Sequence, residues 1–133
     1  MGLHHRAILA TVMTLSFAAT GLADPYENAL AAYQARDFAT AARLMHEEAG
    51  NANANAQRAL GFMFHDGEGV PQDYVRSYMW FYLAATLYPG DSQDFKDTME
   101  ARDTAADSMT PAQIETAQAM ARLCQAAHYK QCD

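Results

Sequence analysis

The run from Tyr74 to Tyr88, YVRSYMWFYLAATLY, constrains this chain more than any other. Asp73 stands before it as a helix cap, and Pro89-Gly90 closes it. Wound as a helix, the run carries aromatic side chains on nearly every face. A helix that is apolar all round has to be enclosed by neighbours rather than laid on a surface. The rest of the chain must therefore supply those neighbours.

They are legible from punctuation. Tyr26, Ala29, Leu30 and Tyr33 fall at i, i+3, i+4 and i+7, which predicts a first helix with those residues on its core face. Arg36-Asp37 breaks that pattern, and Asp37 caps a second helix carrying Phe38, Ala41, Ala42 and Met45, which ends at Gly50. A third helix runs from about Asn53 to His65 with Ala56, Leu60, Met63 and Phe64. It stops at Asp66-Gly67-Glu68-Gly69-Val70-Pro71, where glycine permits left-handed backbone and proline forbids continuation. After the aromatic fourth helix, Ser92 to Asp107 makes a more polar fifth. Thr110-Pro111-Ala112-Gln113 opens a sixth with a capping box and a proline at its first position.

Composition agrees. Half the residues are hydrophobic, with alanine dominant and Val and Ile scarce, a mixture that suits helices because alanine loses no side-chain entropy there. No strand-like alternation occurs, so the class is all-α, with about six helices. Aligning Asp37-Phe38-Ala39 with Asp73-Tyr74-Val75 gives an offset of 36 residues, and aligning Leu30 and Tyr33 with Leu60 and Met63 gives 30. The longer inter-helix loop of the second pair accounts for the difference. A period in the thirties built of two helices predicts a short α-solenoid of antiparallel pairs.

The first 23 residues read as a separate segment. Met1 to Arg6 is polar, Ala7 to Thr20 is uncharged and mostly apolar, and Gly21-Leu22-Ala23 places small residues where a signal peptidase reads. The apolar stretch, about 14 residues, falls short of the ~20 that a membrane-spanning helix needs. We expect a cleaved leader over 1–23 and a single helical domain over 24–133, in a periplasmic or secreted protein with no transmembrane segment after leader removal. Within the domain, 24–50 is the first helix pair, 51–90 the central pair and 91–133 the capping helices. In an oxidising compartment, Cys124 and Cys132, an even count close in sequence, suggest a disulfide. Eight residues along a continuous helix would hold their Cα atoms about 12 Å apart, so the sixth helix must then end near His128 and the tail fold back. Formal charge is −7, which repels phosphates and argues against a nucleic-acid partner.

The stretch from Leu60 to Asp73, LGFMFHDGEGVPQD, resembles the Sel-1-like repeat, whose pattern is L-G-x-x-Y-x-x-G-x-G-V-x-x-D followed by an Ala, a Trp and an Ala-Ala pair. Trp80 and Ala84-Ala85 stand at the expected places. Phe64 replaces the tyrosine, Ser77 replaces an alanine, and the Tyr88-Pro89-Gly90 end is slightly longer. Asp24 to Gly50 resembles a shorter, tetratricopeptide-like unit, and the stretch from Met109 to Gln118 resembles the helix that closes small bacterial members. The resemblance implies that Gly67 and Gly69 form the loop, that Asp73 is the cap, and that the first helix of each pair lines a concave side.

Several short motifs carry fragments of known chemical sites. Gly67 and Gly69 could cradle a phosphate, but no lysine follows as a P-loop requires; they read as backbone hinges. Asp66 and Glu68 resemble a fragment of a calcium loop without its remaining ligands. His46-Glu47-Glu48 begins like a zinc-protease motif but has Gly50 where the second histidine belongs, and reads as a solvated face. Trp80 reads as core. No catalytic, cofactor or metal residues are assigned.

One stripe points to binding. Arg58, Phe62 and His65 lie at i, i+4 and i+7 on the third helix, away from Leu60, Met63 and Phe64. An exposed Phe62 between a cation and an imidazole suits a peptide contact, with Arg58 favouring a carboxylate on the partner and His65 adding pH dependence. Phe62 packed on the fifth helix is the competing arrangement. The expected function is an adaptor for a protein or peptide. The alternatives are a subunit of an envelope complex, or a β-lactam-binding or hydrolysing enzyme, since disulfide-rich relatives carry cysteines spaced like Cys124 and Cys132.

The leader sets the first test. Intact-mass analysis of protein from its native envelope should show a chain beginning at Asp24; a full-length N-terminus there would refute export.

Overall fold

Helix ends fall where polar side chains can satisfy the backbone. The structure, a computed structural model, describes residues 22–132; the leader expected over 1–23 falls, up to residue 21, outside the described residues. Helix α1 spans Pro25–Gln34, α2 Phe38–Ala49, α3 Ala54–Asp66, α4 Tyr74–Leu87, α5 Gln93–Ala106 and α6 Pro111–Ala126, and no strand occurs among the described residues. The first backbone N–H groups of a helix lack intrahelical partners. Here Asp24, Asp37, Asn53, Asp73, Ser92 and Thr110 each accept one with a side-chain oxygen. At α6 the box is reciprocal: Gln113 N donates to Thr110 Oγ1 at 3.2 Å, and Thr110 N donates to Gln113 Oε1 at 2.8 Å.

The helices stack in two layers. Tyr88 at the end of α4 donates to Asn55 Oδ1 near the start of α3, so the pair is antiparallel. Arg58 of α3 meets Asp94 at the start of α5, while Phe62 and His65 face Ala101 and Thr104 further along it. Helices α3 and α5 therefore run parallel, with α1 alongside. In the second layer, Gln118 and Gln125 of α6 reach Tyr78 and Thr86 of α4 in the same order, so these two are also parallel. This is the register of an all-α repeat fold.

Helix α4 packs against α3, α5 and α6. It buries Ser77, Tyr78, Met79, Trp80, Phe81, Leu83, Ala84 and Ala85, as an all-round apolar helix requires. Its approach to α3 depends on a missing side chain: a Cβ added at Gly61 would come within 2.5 Å of the Phe81 ring, and Ser77 Oγ donates to the Gly61 carbonyl at 2.8 Å.

Two details differ from the sequence expectations. The last two helices do not pair. Helix α6 lies on α4 through Ala117, Ala121 and Cys124, because α4 offers apolar surface there whereas α5 buries only Thr98 and Ala105. His46 is not on a solvated face; its ring stands edge-on against Trp80 at 5.7 Å and Phe64 at 6.1 Å. Gly50 ends α2 as expected, in right-handed conformation with φ −66°, and the left-handed residue of that turn is Ala52.

The loop after α3 uses left-handed backbone at Gly67 and Gly69, φ 70° and 72°. Gly69 has a second reason to be glycine, since a Cβ there would overlap the Phe38 carbonyl at the start of α2. The loop thus rests directly on the first helix pair. At the other end of the chain, Cys124 and Cys132 are bonded, with Cα atoms 4.5 Å apart. Helix α6 stops before the second cysteine, and His128 and Tyr129 turn the chain in left-handed conformation. The returning tail places Lys130 Nζ 2.6 Å from the Gly50 carbonyl and 3.1 Å from Asn51 Oδ1, capping the end of α2 with a cation.

Two stability measurements follow from this packing. Gly69→Ala should lose about 2–4 kcal/mol, from left-handed strain and backbone overlap. Gly90→Ala, with nothing within 4 Å of the new methyl, should unfold in urea like the unmodified protein. Equal midpoints for the two variants would contradict the loop contact. Separately, reducing Cys124–Cys132 should lower stability by roughly 2–3 kcal/mol, the loop-closure entropy of so short a loop, read from urea curves with and without reductant.

Candidate protein-docking face

One side of α3 is committed to the interior: Ala56, Gln57, Leu60, Gly61, Met63 and Phe64 are buried. The residues between them, Arg58, Ala59, Phe62, His65 and Asp66, look out between α1 and α5. The structure thus places Arg58, Phe62 and His65 on one face, but gives them different tasks.

Phe62 is 45% exposed. Its ring sits edge-on against buried Phe81, centroids 4.9 Å apart, so one side is anchored and the other open. A cleft of about 290 Å³ lies on its α1 side, lined by Leu30, Tyr33, Met45, Ala59, Phe62 and Asp66. A smaller depression of about 110 Å³ lies on its α5 side, bounded by Phe62, His65, Phe81, Ala101 and Thr104. Phe62 is therefore a ridge between two apolar hollows. Both arrangements considered from the sequence contribute, since the ring is partly exposed and also borders α5.

Arg58 departs from its expected role as an open cation. Its Nη1 donates to Asp94 Oδ1 at 2.8 Å, its guanidinium lies 5.5 Å from the Tyr88 ring centre, and its side chain is 27% exposed. A partner carboxylate would have to displace Asp94. The guanidinium instead ties α3 to α5 and to the end of α4. Burial raises the pKa of the Tyr26 hydroxyl and pushes that of Tyr88 up to about 12.

His65 is also engaged. Its Nδ1 lies 2.8 Å from Asp66 Oδ1, and its ring stands edge-on to Tyr74 at 5.3 Å. Tyr33, expected on the core face of α1, is 36% exposed instead. The reason is positional: α1 packs on α2, and its gap to α3 is the larger cleft. Across that gap Tyr33 Oη donates to Glu68 Oε2 at 2.5 Å. Hydrogen bonding to Glu68, reinforced by burial, pushes the Tyr33 hydroxyl up to about 12.

Sequence reasoning missed Leu30, Tyr33, Met45 and Asp66 as cleft residues. Leu30 and Tyr33 carry an ordinary core signature, and nothing in the sequence marks α1 as a helix with an open flank. Asp73 Oδ1 accepts from Arg76 N at 3.0 Å, fixing where α4 begins behind this face. No cluster of three or more His, Cys, Asp or Glu side chains that could hold a metal ion occurs among the described residues.

Among known families, the pattern describing the Sel1 repeat matches residues 54–88. The match begins with α3 and ends just after α4, so it covers the central pair and the loop that rests on Phe38. No curated protein and no solved structure matches the chain. Residues 54–88 are thus similar to one Sel1 repeat, and the remaining helices stack in register on both sides of that pair.

Proposed function

We propose that this protein is an exported interaction module of residues 24–133 that docks a peptide or protein segment on the face formed by α1, α3 and α5. The observation that carries the reading is Phe62, anchored on Phe81 yet 45% exposed between two apolar hollows. An aromatic side chain held rigid on one side and open on the other is the kind of residue that concentrates binding energy. Sel1 repeats usually mediate protein interactions, which supports the same reading.

Export is supported by the apolar leader and by the disulfide, a bond that persists in oxidising compartments. No helix among the described residues is long and apolar enough to cross a membrane. In the alternative of a β-lactam-directed enzyme, paired cysteines belong to the repeats. Here they fasten a terminal tail to α6 and, through Lys130, to the end of α2, which favours the adaptor.

Truncation separates docking from folding. Leu60 is fully buried, and Leu60→Ala should cost about 2–5 kcal/mol. Phe62→Ala should cost only about 1–2 kcal/mol, mostly its edge-on contact with Phe81, while sharply reducing capture of partner from the native envelope. Circular dichroism melts and pull-downs read the two effects. If Phe62→Ala melts as badly as Leu60→Ala, the residue belongs to the core and the docking face is misassigned. A variant that melts normally and still captures partner would place binding elsewhere.

A further inference from the structure

Charge is unevenly distributed along the docking face. At one end Arg58 is neutralised by Asp94. At the other, Asp66 lines the larger cleft with its side chain 52% exposed and one oxygen on His65 Nδ1, and Glu68 stands beside it, accepting from Tyr33. Both carboxylates act on the Tyr33 hydroxyl, and together they outweigh the opposing influence of Arg36. The Arg36 guanidinium itself lies over the Phe38 ring, 5.8 Å from its centre. The open end of the cleft is therefore a site of negative potential next to an apolar hollow, on a chain whose net charge is −7.

The hollows differ in size. A cavity of about 150 Å³ lined by apolar side chains is enough to hold a benzene ring. The α1-side cleft, about 290 Å³, has room for an aromatic or large aliphatic side chain, and the α5-side depression, about 110 Å³, for a smaller one. In an extended peptide, residues i and i+2 point to the same side about 6.6 Å apart. Two such side chains suit positions on either side of the Phe62 ridge.

We propose that the partner is a cationic, amphipathic peptide segment of another protein. Two apolar side chains enter the hollows flanking Phe62, and a lysine or arginine meets Asp66 and Glu68. The inference rests on the docking reading above and adds the partner's chemistry, reversing the carboxylate expected from Arg58. The net negative charge also steers a cationic segment toward the protein.

Fluorescence anisotropy with three labelled synthetic peptides tests it: Lys-Phe-Ser-Val-Lys, Glu-Phe-Ser-Val-Glu and Lys-Ser-Ser-Ser-Lys. At low ionic strength the first should bind roughly tenfold more tightly than the second, and added salt should narrow that gap. Asp66→Asn, which keeps an oxygen for His65, should narrow it, whereas Phe62→Ala should weaken both phenylalanine peptides. If the glutamate peptide binds as tightly as the lysine one or better, the cationic partner is wrong while the docking face stands. If neither phenylalanine peptide outbinds the serine control, the docking face falls as well. Sedimentation supplies a further outcome: a concentration-dependent dimer dispersed by Phe62→Ala would make a second copy the occupant and overturn the peptide proposal.

Discussion

The structure depends on enclosing α4. Its buried residues point in every radial direction, and each large one, such as Met79, Phe81 or Leu83, contributes about 1.5–3 kcal/mol when removed from water. No single partner helix can cover such a surface. Helix α3 takes one side, α5 another and α6 a third, while His46 of α2 reaches the Trp80 ring. This demand explains why α6 abandons α5. A polar helix with only two buried residues offers little surface, whereas α4 still has an uncovered flank.

Close approach is achieved by removing side chains rather than by interlocking large ones. Gly61 lets the Phe81 ring lie against the α3 backbone, and Gly69 lets the loop touch the start of α2. Fully buried alanines at positions 29, 41, 49, 105, 117 and 121 do the same along the other helices. The energetic consequence is that a methyl group added at a joint overlaps backbone or ring atoms that cannot give way. The joints are therefore sensitive to substitutions that surface positions accept.

The same arrangement creates the open face. Helix α1 has α2 beneath it but only a gap beside it, and Tyr33 bridges that gap with one hydrogen bond to Glu68. Phe62 then has hollows on both sides, because α1 stands apart from α3 on one side and α5 presents the small residues Ala101 and Thr104 on the other. The open face is a by-product of how the first-layer helices are spaced in the stack. Its charge comes from Asp66 and Glu68, whose partners are His65 and a tyrosine hydroxyl, whereas Asp94 is matched by Arg58.

By itself, the sequence determined where helices begin and end, that α4 must be surrounded, and that the loop after α3 needs Gly67 and Gly69. These are local matters of capping, backbone sterics and apolar periodicity, decided within a few residues. It also placed Arg58, Phe62 and His65 on one face, since helical spacing alone does that. Only the tertiary structure decided what each residue on that face can do. Asp94 lies far along the chain from Arg58, yet the parallel register of α3 and α5 brings it to 2.8 Å and occupies the cation. Tyr33 carries a core signature but stands at the rim, because exposure depends on whether a neighbouring helix covers a position, and the side of α1 facing α3 is left open.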